Sequence, residues 1–451
     1  MHRSRDNYQF LTTAPIPRVI ATMAIPAVIS MLVTSVYNIV DTFFIGQIST
    51  QATAAVGIVF SVMFVIQAVG FFFGHGSGNY IARELGARRQ QNAESMAATG
   101  LVYSFSFGLL IAVLGQIFLH PLSVMLGSTP TILPYTADYM RLILLGAPLQ
   151  TAALTMNNQM RFQGNANYAM YGITAGAVLN VALDPLFIFV CNMGVRGAAL
   201  ATLLGQVCSF CILFIMTHHG GNIRIRLRNF SRQSAFVREI LRGGTPSLFR
   251  QVVACFAAIL MNRAAGVYGD AAIAAMAIVN RISMIIMSII IGVGHGFQPL
   301  CGFSYGAGLY RRVRQGYWFV VKIGTGFLLV CTVLVFCFSS DLITIFRNDP
   351  AVIAIGTDAL HWQILSWPLE AVFMMSNMLL QTIGMSLRAN ILALSKRGFF
   401  FVPFILILPY YFGLTGIEVC QPVCDVCGFL LTIPIAVASF KILRNEPAAH
   451  S

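Results

Sequence analysis

Two aspartates inside long apolar stretches, Asp41 and Asp184, carry the clearest chemistry in this chain. A carboxylate in a hydrocarbon setting is costly and is kept for a purpose. Read as helices, the stretches place these acids at one depth. Asp41 lies about one turn before the end of its stretch near Gly46, and Asp184 about two turns before Cys191. Thr202 lies under two turns into a helix starting near Arg196, and Tyr139 about two turns into one starting near Ile132. At about 1.5 Å per residue, all four sit roughly 7–11 Å from the same set of helix ends. Asn180 precedes Asp184 by four residues, on the same face and one turn deeper. Four helices can thus present two carboxylates, an amide and two hydroxyls to one layer. Two carboxylates repel in a low dielectric, so one keeps a proton unless a cation lies between them. Hard oxygen ligands suit H⁺ exchange or Na⁺ rather than a soft metal. The opposing possibility is that Asp41 and Asp184 simply pair with buried donors such as Tyr37 or Asn157.

Proline marks where these helices can yield. Pro185 follows Asp184 and removes a backbone donor, which weakens the helix there. Pro26 lies a little over four turns before Asp41 and can bend the first long helix, so a change of charge at Asp41 can couple to that bend.

The elements that must position these residues follow from composition and repetition. Of the residues, 57% are hydrophobic and 10% charged, which makes lipid the solvent for most of the chain. About 12 apolar stretches reach membrane-spanning length. In the first half they run over 16–45, 54–80, 95–119, 132–158, 166–190 and 196–217. In the second half they run over 243–267, 272–300, 316–338, 352–382, 388–411 and 414–440. The halves repeat at an offset of 220: Gly74-His75-Gly76 returns as Gly294-His295-Gly296, Pro26 as Pro246, Pro148-Leu149 as Pro368-Leu369, and Gly164 as Gly384. Matched helix breakers mean matched bends, as in transporters built from two halves around a central site. The expected fold is all-α and membrane-embedded, with 12 transmembrane helices as two pseudo-symmetric six-helix bundles around a central cavity. Residues 1–217 form the first lobe, 218–242 a basic linker and 243–451 the second lobe.

The repeat also shows an asymmetry. The positions matching Asp41, Asn180 and Asp184 are Met261, Phe400 and Phe404. The second half instead carries Glu370 mid-helix and Arg281 about a third of the way into its helix, expected as a buried pair. His75 and His295 occupy matched bends between glycines, as packing residues or as a proton relay. Arg263 near a helix end is expected to snorkel.

The excess of positive charge, +13, falls in alternate loops. Arg3 and Arg5, Arg83 to Arg89, the six arginines of the linker, Arg311 to Arg314, Arg388 with Lys396 and Arg397, and Lys441 with Arg444 form the clusters. The positive-inside rule places both termini and the linker in the cytoplasm, in the cytoplasmic (inner) membrane. The linker then reads as a topology anchor against anionic lipid rather than a nucleic-acid surface. The first apolar stretch has no small-residue cleavage site and so is not a signal peptide. The 10 cysteines show no disulfide logic; Cys420, Cys424 and Cys427 share a helical face as small packing residues.

The segments Gln298-Pro299-Leu300 with Tyr305-Gly306-Ala307-Gly308, Arg83-Glu84-Leu85-Gly86-Ala87, Asn180 with Asp184-Pro185, and Gly194 with Gly197-Ala198-Ala199 and Thr202 resemble the multidrug and toxic compound extrusion (MATE) family. The resemblance covers nearly the whole chain. It implies a cation-coupled antiporter that expels organic, often cationic, drugs and contributes to antibiotic resistance. Within the family, the chain is similar to the prokaryotic branch whose coupling site lies in the N-terminal lobe. By that resemblance, Asp41, Asn180, Asp184 and Thr202 match ion-site positions, Tyr139 lies nearby, and Tyr37 and Asn157 line the lobe cavity. H⁺ or Na⁺ is then the coupling ion, no cofactor is needed, and the partners are small organic substrates and lipid, with the monomer as functional unit. The alternative is a related flippase for lipid-linked precursors or oligosaccharides, which a basic cavity would favour. An enzyme is not expected: no Asp-x-x-x-Asp pair for a metal diphosphate occurs, nor a phosphate-binding glycine loop.

Overall fold

The structure, a computed structural model, describes residues 2–445; the side chains of residues 2–6, 444 and 445 lie outside the description, including Arg3, Arg5 and Arg444. Among the described residues the chain is all-helical. The first half comprises α1 (His2–Thr13), α2 (Ile16–Gly46), α3 (Thr50–Gly86), α4 (Gln90–Ile117), α5 (Leu119–Met125), α6 (Leu133–Phe162), α7 (Ala166–Pro185) and α8 (Val195–Met216). The second half comprises α9 (Ser234–Gly266), α10 (Asp270–Gly306), α11 (Tyr310–Phe346), α12 (Pro350–Thr382), α13 (Ser386–Leu394), α14 (Phe401–Phe412) and α15 (Leu414–Asn445).

Ten helical segments among the described residues are long and apolar enough to cross a membrane, α13 and α14 counting as one. The long helices α6 and α12 complete the two six-helix lobes. They are more polar because they run through the lobe interiors, α6 against α3, α4 and α8, and α12 against α10, α11 and α15. Their polar faces bury Asn157, Asn158, Gln159 and Arg161 in one lobe and Ser376, Asn377 and Gln381 in the other.

Local chemistry sets the helix ends. The side chain of Ser49 accepts from the Ala52 amide and caps α3; Asp349 accepts from Ala351 and Val352 and caps α12. Proline stands in the first turn of α2, α6 and α12, where a missing amide proton costs nothing. Gly164 and Gly384, both at φ 85°, end α6 and α12 in a left-handed conformation that favours glycine.

Two features depart from expectation. A further helix, α1, precedes the first span, and Asn7 ties it to Asn165 at 2.9 Å. Helix α9 begins at Ser234, inside the segment expected as linker. The six linker arginines, Arg224, Arg226, Arg228, Arg232, Arg238 and Arg242, are all exposed.

The lobes meet along their basic-loop half. Gly76 of α3 lies against the backbone of Ile240 in α9, and its repeat mate Gly296 of α10 against Ala24 in α2, approaches that leave no room for a Cβ. Arg83 closes the seam with an ion pair to Glu239 at 2.7 Å and a hydrogen bond to the Thr382 carbonyl at 2.8 Å. Further up, Ser35 of α2 and Ser288 of α10 are 3.2 Å apart. Beyond this pair, among the described residues, no hydrogen bond joins α2 to α10. Ile39 of α2 and Met284 of α10, further along the two helices, are 40% and 60% exposed.

Candidate cation site in the N-terminal lobe

Helices α2, α6, α7 and α8 bring the expected layer together. Asp41 on α2 and Asp184 on α7 face each other with their carboxyl groups within hydrogen-bonding reach. Asp41 is 5% exposed and Asp184 0%. Asn180 donates from Nδ2 to the Thr202 hydroxyl at 3.3 Å, and Thr202 donates to the Ala198 carbonyl at 3.1 Å. The Tyr139 hydroxyl of α6 points towards Thr202 without the geometry of a full hydrogen bond. Tyr37 stands one turn before Asp41 on the same face of α2, close to both acids.

What this layer lacks, among the described residues, is a basic side chain paired with either acid. The Asp41 Oδ1, both Asp184 carboxylate oxygens, the Asn180 Oδ1 and the Tyr139 hydroxyl are buried with no hydrogen-bond partner. A buried acceptor without a partner costs free energy on the order of 1–3 kcal/mol, more for a charged group. Five oxygens from three helices therefore converge with spare lone pairs. Such a set fits a proton shared between carboxylates or a small hard cation. Pro185 ends α7 beside this layer, and the chain continues as a π turn over Leu186–Val190. Pro26 lies inside α2 in its buried, basic-loop half.

Asn157 sits elsewhere. It donates from Nδ2 to the Ala169 carbonyl at 2.7 Å and clips α6 to α7, as its mate Asn377 does to Ala389 at 2.8 Å. It is therefore not a donor to the aspartates.

The expected Glu370–Arg281 pair does not form. Glu370 of α12 pairs with Lys396 at 2.5 Å, and Lys396 also pairs with Asp425 of α15 at 2.8 Å. Asp425 accepts further hydrogen bonds from Ser366 at 2.6 Å, Gln421 at 2.7 Å and Gln363 at 3.2 Å. Arg281 is exposed on α10. In sequence Lys396 reads as part of a basic loop because Arg388 and Arg397 stand near it. In the structure its span begins at Ser386, and Lys396 lies within a π turn, Ser395–Phe400, about 15 Å from that end. Only the mid-helix Glu370 hinted that a partner was needed.

His75 and His295 come together at the seam, with ring centroids 5.7 Å apart. Between them Arg161 of α6 reaches His295 Nδ1 at 3.1 Å and His75 Nε2 at 3.5 Å, while donating to the Asn158 side-chain Oδ1 at 2.5 Å. Arg161 is 3% exposed, and nothing in its loop-like neighbourhood of sequence signalled that burial. Cys420 and Cys424 are buried as core, and no cluster of metal-binding side chains occurs among the described residues.

Comparison with known proteins agrees with this architecture. The multidrug export protein MepA of Staphylococcus aureus is 26% identical over 416 residues, 91% of this chain and 91% of its own length. A multidrug resistance MATE family transporter of the MOP superfamily, solved in an outward-facing conformation, superposes with a TM-score of 0.91 at 26% identity, covering 98% of this chain and 99% of that one. A MOP superfamily transporter from Pyrococcus furiosus, whose binding pocket of reverse polarity suggests a different function, superposes at 0.92 with 25% identity over 98% and 99% of the two chains. The MatE family profile matches twice, at residues 26–186 and 246–406, again 220 residues apart. Those two segments cover more than half of the chain and most of both lobes, and the chain belongs to the MATE family of multidrug efflux transporters.

Proposed function

We propose that the protein is a secondary antiporter that exchanges external H⁺ or Na⁺ for organic, often cationic, drugs through alternating access. The observation that carries this reading is the set of partnerless buried oxygens on Asp41, Asp184, Asn180 and Tyr139. A cation from solution supplies the positive charge that no side chain supplies there. Both termini and the arginine-rich linker face the cytoplasm in this reading, so the half of the lobes beyond Ser35 and Ser288 faces outwards.

Helix α2 links ion to cargo. One face carries Asp41 against α7, and another packs on α10 along the seam. Binding of a cation at Asp41 and Asp184 removes their repulsion and draws α2 towards α7, with Pro26 as the place where α2 gives way. The N-lobe space narrows and the drug leaves. Release of the cation restores the repulsion. Flexible methionines and aromatic faces suit a loose choice of cargo, and a cationic drug competes for the same carboxylates. No cofactor enters, and one chain holds the whole site.

The test is ethidium efflux from proteoliposomes under a proton gradient and, separately, a sodium gradient. Efflux driven by one of the two supports the reading and identifies the ion. Efflux indifferent to both would overturn it.

A further inference from the structure

The helix that precedes the first span crosses from one lobe to the other. Through α2, α1 belongs to the first lobe by chain connection, yet it packs on α10 of the second. Its 12 residues are too few to hold a helix alone in water, and only Tyr8, Phe10 and Leu11 among them offer apolar surface. The fold of α1 therefore depends on what it docks against.

Both lobes grip it. On the first-lobe side, Asn7 donates from Nδ2 to the Asn165 Oδ1 at 2.9 Å and to the Gln163 carbonyl at 3.3 Å. Leu11 is fully buried against Gly164, and the Arg88 guanidinium of the α3–α4 turn lies 4.7 Å from the Tyr8 ring centre. On the second-lobe side stands Arg312, near the start of α11. Its Nε donates to the Leu11 carbonyl at 3.0 Å and its Nη2 to the Ala14 carbonyl. The end of α1 leaves carbonyls without helical partners there and carries the negative end of the helix dipole, so a guanidinium suits it. Pro15 follows in extended backbone, at φ −55° and ψ 132°, so Arg312 holds the chain at the joint between α1 and α2. Elsewhere α1 is loosely packed. A cavity of about 370 Å³, lined among others by Asn7, Phe10, Thr22, Met23, Asn165 and Asn167, leaves it room to shift.

These contacts stand at the basic-loop end of the seam, the half closed by Gly76 on Ile240, Gly296 on Ala24 and Arg83 on Glu239. Parting the lobes there pulls α1 between Asn165 and Arg312. Its covalent link to α2 keeps α1 with the first lobe, so the bonds to Arg312 and the packing on α10 are the ones that must give way. We propose that α1 is a strap across this end of the seam and that Arg312 is its catch, a positioning residue that biases the lobes towards the closed seam. The strap must then unhook before the central space opens to the cytoplasm. This inference rests on the alternating-access reading and adds to it the element that holds one of its states.

The test is hydrogen–deuterium exchange, read by mass spectrometry of peptides, on the purified full-length protein in detergent for wild type, Arg312→Gln and Arg312→Lys. In Arg312→Gln the amides of α3 around Gly76 and of α10 around Gly296 should exchange about tenfold faster, while α7 and α8 beside the acid layer change by less than about twofold. Arg312→Lys keeps the charge but brings one donor group to two carbonyls, and should fall in between. Faster exchange confined to α1, with the seam unchanged, overturns the strap, as does an unchanged pattern throughout. An equal rise in α7 and α8 marks general loosening of the fold and overturns it as well. Gradient-driven ethidium efflux by the same preparation separates the two claims. An unchanged seam with intact efflux overturns the strap alone, and a selectively loosened seam with no wild-type efflux under either gradient overturns the export reading alone.

Discussion

Each lobe sets one pair of buried carboxylates across two neighbouring helices, Asp41 with Asp184 in the first and Glu370 with Asp425 in the second. In the second lobe Lys396 stands between them at 2.5 and 2.8 Å, and Ser366, Gln363 and Gln421 serve the remaining lone pairs of Asp425. In the first lobe no basic side chain pairs with either acid among the described residues, and three of the four carboxylate oxygens find no donor. A buried acid pair needs a proton or a positive charge to neutralise it. The second lobe carries that charge covalently and is complete. In the proposed reading the first takes a proton or cation from solution, so that its stability and shape respond to the ion. The difference lies in the side chains, since the two lobes share their helix order, matched prolines and matched glycine turns.

This contrast can be broken in several places. The largest effect is expected at Lys396→Met, which leaves Glu370 and Asp425 uncompensated. Stability should fall by about 3–5 kcal/mol, seen as a lower Tm in detergent. The triple change Glu370→Gln, Lys396→Met and Asp425→Asn removes all the charges together and should recover most of that loss. A triple variant as unstable as Lys396→Met would show that the lysine acts through packing.

Next is Thr202→Val, close in shape but without the hydroxyl that accepts from Asn180. The cation concentration for half-maximal efflux should rise by about tenfold at most, with stability changed by about 1 kcal/mol. Efflux with an unchanged ion dependence would remove Thr202 from the site. The smallest effect sharpens the symmetry itself. Asn157→Ala and Asn377→Ala break matched clips, so each should cost about 1 kcal/mol and leave the ion dependence of efflux alone. A selective loss of ion dependence in Asn157→Ala would return that residue to the coupling site.

How much of this was legible in the sequence depended on whether the signal was local. The repeat, the depth of Asp41, Asn180, Asp184, Tyr139 and Thr202, and their convergence followed from helical rise and chain direction alone. Partner choice across helices did not. Glu370 was visible as an intramembrane acid, but Arg281 and Lys396 were both within range of a guess, and rotation about the helix axis decides between them. Lys396 was hidden by Arg388 and Arg397, which made its segment look like a basic loop. The two π turns, each beside a buried ionisable side chain, have no composition of their own: one follows Asp184-Pro185 and the other contains Lys396. The seam cluster of His75, Arg161 and His295 joins two lobes, and matched histidines 220 residues apart indicated its place but not its arginine.

The most direct measurement compares the lobes in one assay. Ethidium efflux driven by the effective ion gradient is recorded for wild type, for Asp41→Asn with Asp184→Asn, and for the neutral triple variant at Glu370, Lys396 and Asp425. The account predicts that the first variant loses gradient-driven efflux by at least about a hundredfold, equivalent to ~2.7 kcal/mol of coupling, while the triple variant retains it within about threefold. Gradient-driven efflux that survives loss of both N-lobe acids, or that disappears in the triple variant alone, would place the coupling in the second lobe and contradict the account.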